Sequence, residues 1–379
     1  MTGMTGFVWR RALSGFDPGW WGRLGDRRTV LVVVGSPVPG QPALDVARLA
    51  GTDPRLRVLF AAAPGPSSAA VEVMLRDAGA APLRWSELAD GDVGLVVTAH
   101  RIPPRPPGAP LIALPGTIPA AVAHRPAPTV FTYAHHLDRP PDARPGGAVV
   151  VGDSDHDRLV ASLPLRDFYR RALGVAGRGL VAVALPAAGT GPCTRCRSLD
   201  VVRRLLAELP PDLYQVLALP EPGADRCPGG PGLAGLLRDG LGLMPPEADW
   251  RAALVAADWI LGPPGPVTRL GTLTGAPVLV TGPPAGDALR LCAVRLAAHR
   301  PVRSQLAEAA ARWRPERVRP VVERITSEPG RFDRNMRSLM YGLLRLPQPA
   351  TIPVADPVSP PFRIGCRDGE PLCAVPQGG

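Results

Sequence analysis

Short continuous apolar runs recur along the first half of the chain, each rich in β-branched residues or Leu and most closed by Gly or Pro. They read TVLVVVG (29–35), RVLFAAA (57–63), VGLVVTA (93–99), PLIALP (110–115), TVFTYA (129–134) and AVVVGD (148–153). Between the first of them the apolar spacing turns helical. ALDVARLA (43–50) is one such segment; SSAAVEVMLRDAGA (67–80) is another, with a serine start and Gly79 as a stop. Apolar strands alternating with helices predict a parallel sheet covered on both faces. The later crossovers are short and Pro-rich, and helices there are poorly defined.

DHDRLVASLPLRDFYRRALGV (155–175) is helical with a break near Pro164 and makes a natural linker. The same grammar then repeats: GLVAVALP (179–186), YQVLALP (214–220), WILG (259–262) and PVLVTG (277–282) are strands. The helix SLDVVRRLLAEL (198–209) places Leu199, Val202, Leu205 and Leu206 on one face, and GLAGLLRDGL and DWRAALVAA are further helices. From DALRLCAVRLAAHR the pattern stays helical to about Leu346. The tail from Pro347 holds 8 Pro in 33 residues, so no packed core is expected there. The predicted architecture is α/β, two Rossmann-like domains facing across a cleft. Its parts are an N-terminal arm (1–28), an N-terminal domain (29–165), a C-terminal domain with terminal helices (166–346) and the tail (347–379).

Composition narrows the chemistry. All 43 basic residues are Arg, and Asn335 is the lone asparagine. Without lysine there is no Walker A loop, no Schiff base and no kinase-type lysine, which argues against ordinary GTPase or ATPase chemistry. The first strand of each half lacks G-x-G-x-x-G, offering GSPVPG and PAAGTGP instead, which gives a dinucleotide oxidoreductase little support. No G-x-S-x-G elbow marks a hydrolase.

Of the net charge of +10, more than half falls between Arg300 and Arg345, where 11 Arg face five acids. Aromatic residues are sparse there, so a solvated helix face is the preferred reading over nucleic-acid recognition. The N-terminus has no apolar segment of signal-peptide length and no run approaches about 18 apolar residues. The expected compartment is the cytoplasm, with no transmembrane segment.

Two stretches carry a resemblance: VVVGDSDHDRLVASLPLRDFYRRALGV and ALVAADWILGPPGPVTRLGTLTGAPVLV. Over roughly Thr29 to Leu346 the chain resembles actinobacterial proteins of glycosyltransferase-B type, relatives of CDP-glycerol glycerophosphotransferases and UDP-N-acetylglucosamine 2-epimerases. The family's second motif reads approximately G-D-H-G-S-V-T, or D-Y-S-S-V. The matching positions are Gly262, Pro263, Pro264, Gly265, Pro266, Val267 and Thr268. The glycines, Val267 and Thr268 persist, while the acid, the His/Tyr and the Ser are each a proline. Proline at Pro266 removes one backbone donor from the helix start that would hold a diphosphate, though the fold tolerates proline there. The family's H-P-N is replaced by Leu219, Pro220 and Glu221, and its P-H-G by Pro115, Gly116 and Thr117. The linker signature G-[DN]-P is met by Gly152, Asp153 and Ser154, with Asp157 also matching.

The resemblance implies a phosphate-binding set of Gly262, Gly265, Val267, Thr268 and Arg269. The catalytic candidate is His135, which follows a strand and matches a family S-H-P-D position as Ala134-His135; a surface-bonded loop histidine is the simpler account. His136 and His100 stand at similar strand ends. His156 lies beside Asp153, Asp155 and Asp157, a metal cluster on spacing alone but more simply an N-capping group. Cys193 and Cys196 form a C-x-x-C in the loop after the second domain's first strand; with a single such pair, zinc and redox roles are weaker readings than loop thiols. No metal and no cofactor are expected. The leading expectation is a diverged, catalytically impaired protein that binds a nucleotide, nucleotide-sugar or other phosphorylated ligand. Its rivals are an active transferase or epimerase with substituted site residues, and an Arg-rich interaction scaffold.

Overall fold

A computed structural model describes residues 27–35, 42–65, 68–77, 80–84, 93–99, 108–115, 128–141, 147–175, 177–185, 192–220, 231–245, 248–282, 288–367 and 370–374; at 192–197, 220, 231–234, 364–367 and 370–374 the description is of the backbone. The chain forms two compact units, 1–157 with 326–355, and 158–325 with 356–379.

In the first unit the strands are β1 (Arg28–Val34), β2 (Leu56–Ala62), β3 (Leu95–Thr98), β4 (Leu111–Ala113), β5 (Thr129–Tyr133) and β6 (Ala148–Val150). They form one sheet in the order β2-β1-β3-β4-β5-β6, every pair parallel. β1 shows why the apolar run becomes a central strand: Thr29 to Val34 are all buried, alternate side chains entering cores on opposite faces. Helices α1 (Pro42–Gly51) and α2 (Ser68–Asp77) follow β1 and β2 as expected.

The second unit contains β7 (Gly179–Leu185), β8 (Tyr214–Pro220), β9 (Gly242–Leu243), β10 (Trp259–Gly262), β11 (Val278–Val280), β12 (Val294–Arg295), β13 (Arg363–Arg367) and β14 (Glu370–Ala374). Their order is β12-β11-β10-β7-β8-β9-β13-β14, with β12 to β9 parallel and the last two antiparallel. Counted within the unit, the six parallel strands have the dinucleotide-fold order 3-2-1-4-5-6, whose switch point falls between β7 and β10. Helices α3 (Ser154–Ser162), α4 (Arg166–Ala172), α5 (Pro192–Glu208), α6 (Pro231–Arg238), α7 (Trp250–Ala256), α8 (Pro266–Gly271), α9 (Val302–Arg312) and α10 (Pro315–Val322) follow in chain order. The chain passes from one unit to the other within α3, and the break read near Pro164 falls in the 3-10 turn Leu163–Leu165 that follows it.

Three details differ from the sequence reading. The last helix, α11 (Phe332–Leu344), belongs to the first unit, where Phe332, Met336, Met340, Tyr341 and Leu344 join the core that contains β1 and α1. Two short strands, β9 and β12, were missed because two-residue strands leave no periodicity to read. Finally, the tail is packed. Val358 is buried in the second unit's core, its carbonyl accepts from the Tyr169 hydroxyl at 2.6 Å and its amide donates to Ser162 Oγ at 2.9 Å. Arg158 donates to the carbonyls of Asp356 (3.1 Å) and Pro357 (3.3 Å). Proline removes backbone donors, yet the carbonyls remain, and side chains of the second unit use them.

The linker signature has a structural meaning. Gly152 has φ 97°, and a Cβ there would lie 2.9 Å from the Glu328 carbonyl, so the position requires glycine. Asp157 holds the returning chain: Oδ1 accepts from the Gly330 amide at 2.7 Å and Oδ2 from the Phe332 amide at 2.9 Å. These bonds satisfy amides at the start of α11 and favour its dipole.

Candidate functional site

The site grows out of the second unit's switch point. β10 ends at Gly262, the loop Pro263-Pro264-Gly265 turns outward, and α8 starts at Pro266. Gly265 is extended at the N-cap and has no side chain to cap with. The first helical closure is Arg269 N–H to Gly265 O at 2.9 Å. The amides of Val267 and Thr268 thus have no carbonyl within the helix, and Pro266 has no amide. The start of α8 offers an anion two backbone donors.

How α8 is seated explains the residues around it. A Cβ on Gly262 would overlap Thr268 Oγ1 and lie 2.8 Å from the Ala184 side chain; one on Gly271 would lie 2.8 Å from Ile260 Cδ1. The helix is pressed onto β10 at both ends, and glycine makes each approach feasible. Thr268 is 1% exposed, and its hydroxyl has no hydrogen-bond partner among the described residues. Its side chain points into the helix–strand seam, while Arg269 is half-buried. Of the residues read from sequence, Gly262, Gly265, Val267, Thr268 and Arg269 come together in this one turn. Ala184 and Gly271, which set its depth, were missed; a glycine at the end of the short helix was the available signal.

The other candidates have definite places. His135 lies in the first unit after β5 and is buried; its Nδ1 accepts from the Leu137 amide at 3.1 Å, capping the short 3-10 helix His136–Asp138. The His136 ring stacks on that of His135 at 4.4 Å, and the His136 amide donates to Ser327 Oγ at 3.1 Å. Asp153 Oδ1 accepts from the His156 amide at 2.9 Å, as an N-capping acid does, and His156 Nδ1 lies 2.8 Å from Asp157 Oδ1. No group of three or more His, Cys, Asp or Glu among the described residues is placed to hold a metal ion. Cys193 and Cys196 fall on the first turns of α5 rather than in a loop. His100, Gly116, Thr117 and Glu221 lie outside the described residues.

The two units have the Rossmann-like architecture of the glycosyltransferase-B fold, as solved structures confirm. A variant of the wall teichoic acid polymerase TagF aligns with TM-score 0.58 at 11% identity, covering 85% of this chain and 90% of that one. The same polymerase variant soaked with CDPG aligns with TM-score 0.56 at 10% identity over the same shares. A UDP-N-acetylglucosamine 2-epimerase aligns with TM-score 0.46 at 13% identity, covering 86% of this chain and all of its own. No family model matches the chain. No curated protein matches it. No helix among the described residues is long and apolar enough to cross a membrane.

Proposed function

We propose that this chain is a diverged glycosyltransferase-B-like protein that binds a nucleotide or another phosphorylated ligand at the β10–α8 turn and has little transferase activity. The observation that carries the reading is the turn itself. It keeps the close seating of α8 and the amides of Val267 and Thr268, which have no carbonyl within the helix, and it has prolines where the family motif places an acid, a His/Tyr and a Ser. Amides hold a phosphate without reacting with it, whereas proline supplies neither a proton nor a nucleophile. Arg269 adds a cation one turn in, and His135 is the residue on which acid–base chemistry would rest. A cytosolic, nucleotide-rich setting suits this reading.

The test is calorimetric titration of the whole protein with CDP, UDP, GDP and ADP, paired with a donor-hydrolysis assay. The soak of TagF with CDPG makes CDP the first ligand to try. Binding that Arg269→Ala weakens about tenfold, with no turnover, is the expected result. Turnover abolished by His135→Ala would establish the active-enzyme reading instead. Absence of heat with every nucleotide would refute the ligand site.

A further inference from the structure

In the second unit, β7 leads to a helix whose first turns carry two cysteines. β7 and β8 pair in parallel along their whole length, so α5 is the crossover of a βαβ unit. Cys193 and Cys196 follow Pro192, a residue type suited to a first helical position. Their place in a helix removes the ground for reading them as loop thiols. A C-x-x-C beside a βαβ pattern is instead the arrangement of a redox dithiol. Helix geometry sets Cα atoms three residues apart at about 5 Å, inside the range of about 4.4–6.8 Å that a disulfide spans. The body of α5 is held independently of these turns. Val202 and Leu205 are buried, and Glu208 accepts from Arg204 and from the Val302 amide, each at 2.6 Å. A disulfide closed at the start of the helix therefore leaves its packed turns in place.

Electrostatics at that end favour the thiolate. The amides of Cys193, Thr194 and Arg195 have no carbonyl earlier in the helix, and the partial positive charge of such a terminus falls off within one turn. A helix N-terminus and neighbouring arginines both lower a thiol pKa. Arg195 and Arg197 share these turns, and the first acid along the helix, Asp200, is paired with Arg203 at 2.6 Å. We propose that Cys193 and Cys196 form a reversible redox dithiol that exchanges with the disulfide of a small thiol. Cys193, nearer the terminus, is the attacking thiolate. It bonds to one sulfur of the small disulfide, whose S–S bond breaks, and the departing thiolate takes a proton from solvent. Cys196 then gives up its proton and attacks the Cys193 sulfur, releasing the second small thiolate. The protein dithiol is oxidised by two electrons, and the small disulfide is reduced to two thiols.

The experiment equilibrates the full chain with mixtures of reduced and oxidised glutathione, quenches it in acid and maps every cysteine by alkylation and mass spectrometry. A Cys193–Cys196 disulfide is expected to form in a single two-electron transition and to reopen in excess reduced glutathione. In Cys196→Ser, glutathione should stay on Cys193. In Cys193→Ser, Cys196 should take up glutathione roughly threefold more slowly at neutral pH. Absence of a Cys193–Cys196 disulfide at every glutathione ratio overturns the proposal, as does a bond from either residue to another cysteine. Equal rates in the two variants also overturn it, because the first step is assigned to Cys193. Zinc that copurifies with the protein and protects both thiols from alkylation overturns it in favour of a metal site. Should a serine variant fail to fold, the wild-type disulfide map alone decides.

Discussion

Thr268 and Gly262 share one space: the threonine hydroxyl fills the position where any side chain at residue 262 would begin. With Ala184 2.8 Å away on the other side, Gly262→Ala cannot be absorbed by a rotamer change alone. The expected loss is about 1–3 kcal/mol, the usual penalty for overpacking a tight seam. Chemical denaturation of the single variants and of Gly262→Ala/Thr268→Ala checks it. The double variant should cost less than the sum of the singles.

The same burial makes Thr268→Val informative. A buried hydroxyl with no partner loses its hydration for no return, so an isosteric methyl is expected to leave stability unchanged or raise it by up to about 1 kcal/mol. Nucleotide affinity should be equally indifferent, because the backbone amides remain. A large loss of either quantity would mean that the hydroxyl has a partner in the native protein.

How much of this was legible beforehand follows from the physics of each element. Strands such as TVLVVVG announce themselves through continuous β-branched residues, and the loop at residues 263–265 through glycine and proline. The dinucleotide-fold strand order is a long-range property, and no local pattern encodes it. Arg337 was counted among solvated arginines because charge in a helical repeat reads as surface, and only its neighbours reveal it as buried. Likewise the prolines of the tail concealed Val358, whose burial depends on Ser162 and Tyr169, nearly two hundred residues earlier in the chain. Within the site, the turn could be read from the motif. The inward direction of the Thr268 side chain could not.

Acid should loosen the first unit through Asp53. Burial pushes this carboxyl up, but hydrogen bonds from Arg55 and Tyr341 outweigh that and bring it from 3.8 to about 2. A depressed folded-state value means stability that is fully present above about pH 4 and lost as pH falls through about 2. The amount is about 2 kcal/mol. Tyr341→Phe removes one of the stabilising donors, so the variant should be less stable at neutral pH and less sensitive to acid. Urea midpoints for both proteins between pH 2 and 6 test the sign.

Asp157→Asn retains the shape of the side chain and loses one of its two acceptor oxygens. Either the Gly330 or the Phe332 amide is then left without its carboxylate, at an expected cost of about 1–2 kcal/mol. Hydrogen exchange should locate the loss in the first turn of α11. Protection spread evenly over both units would contradict a local capping role.

The tail contributes to the second unit through the Val358 backbone groups, which side chains of that unit satisfy. Tyr169→Phe leaves the Val358 carbonyl buried and unpaired, and Ser162→Ala does the same to the Val358 amide. Each substitution is expected to destabilise by about 1–3 kcal/mol, since an unsatisfied buried group costs more than a surface bond contributes. The pair should be non-additive: once the segment detaches, the second group regains water at no further cost. Truncation after Ala355 should resemble the double variant and also uncover β9, the strand that β13 pairs with. Equal stability of the truncated and full-length proteins would show that the strap contributes nothing to the core it covers.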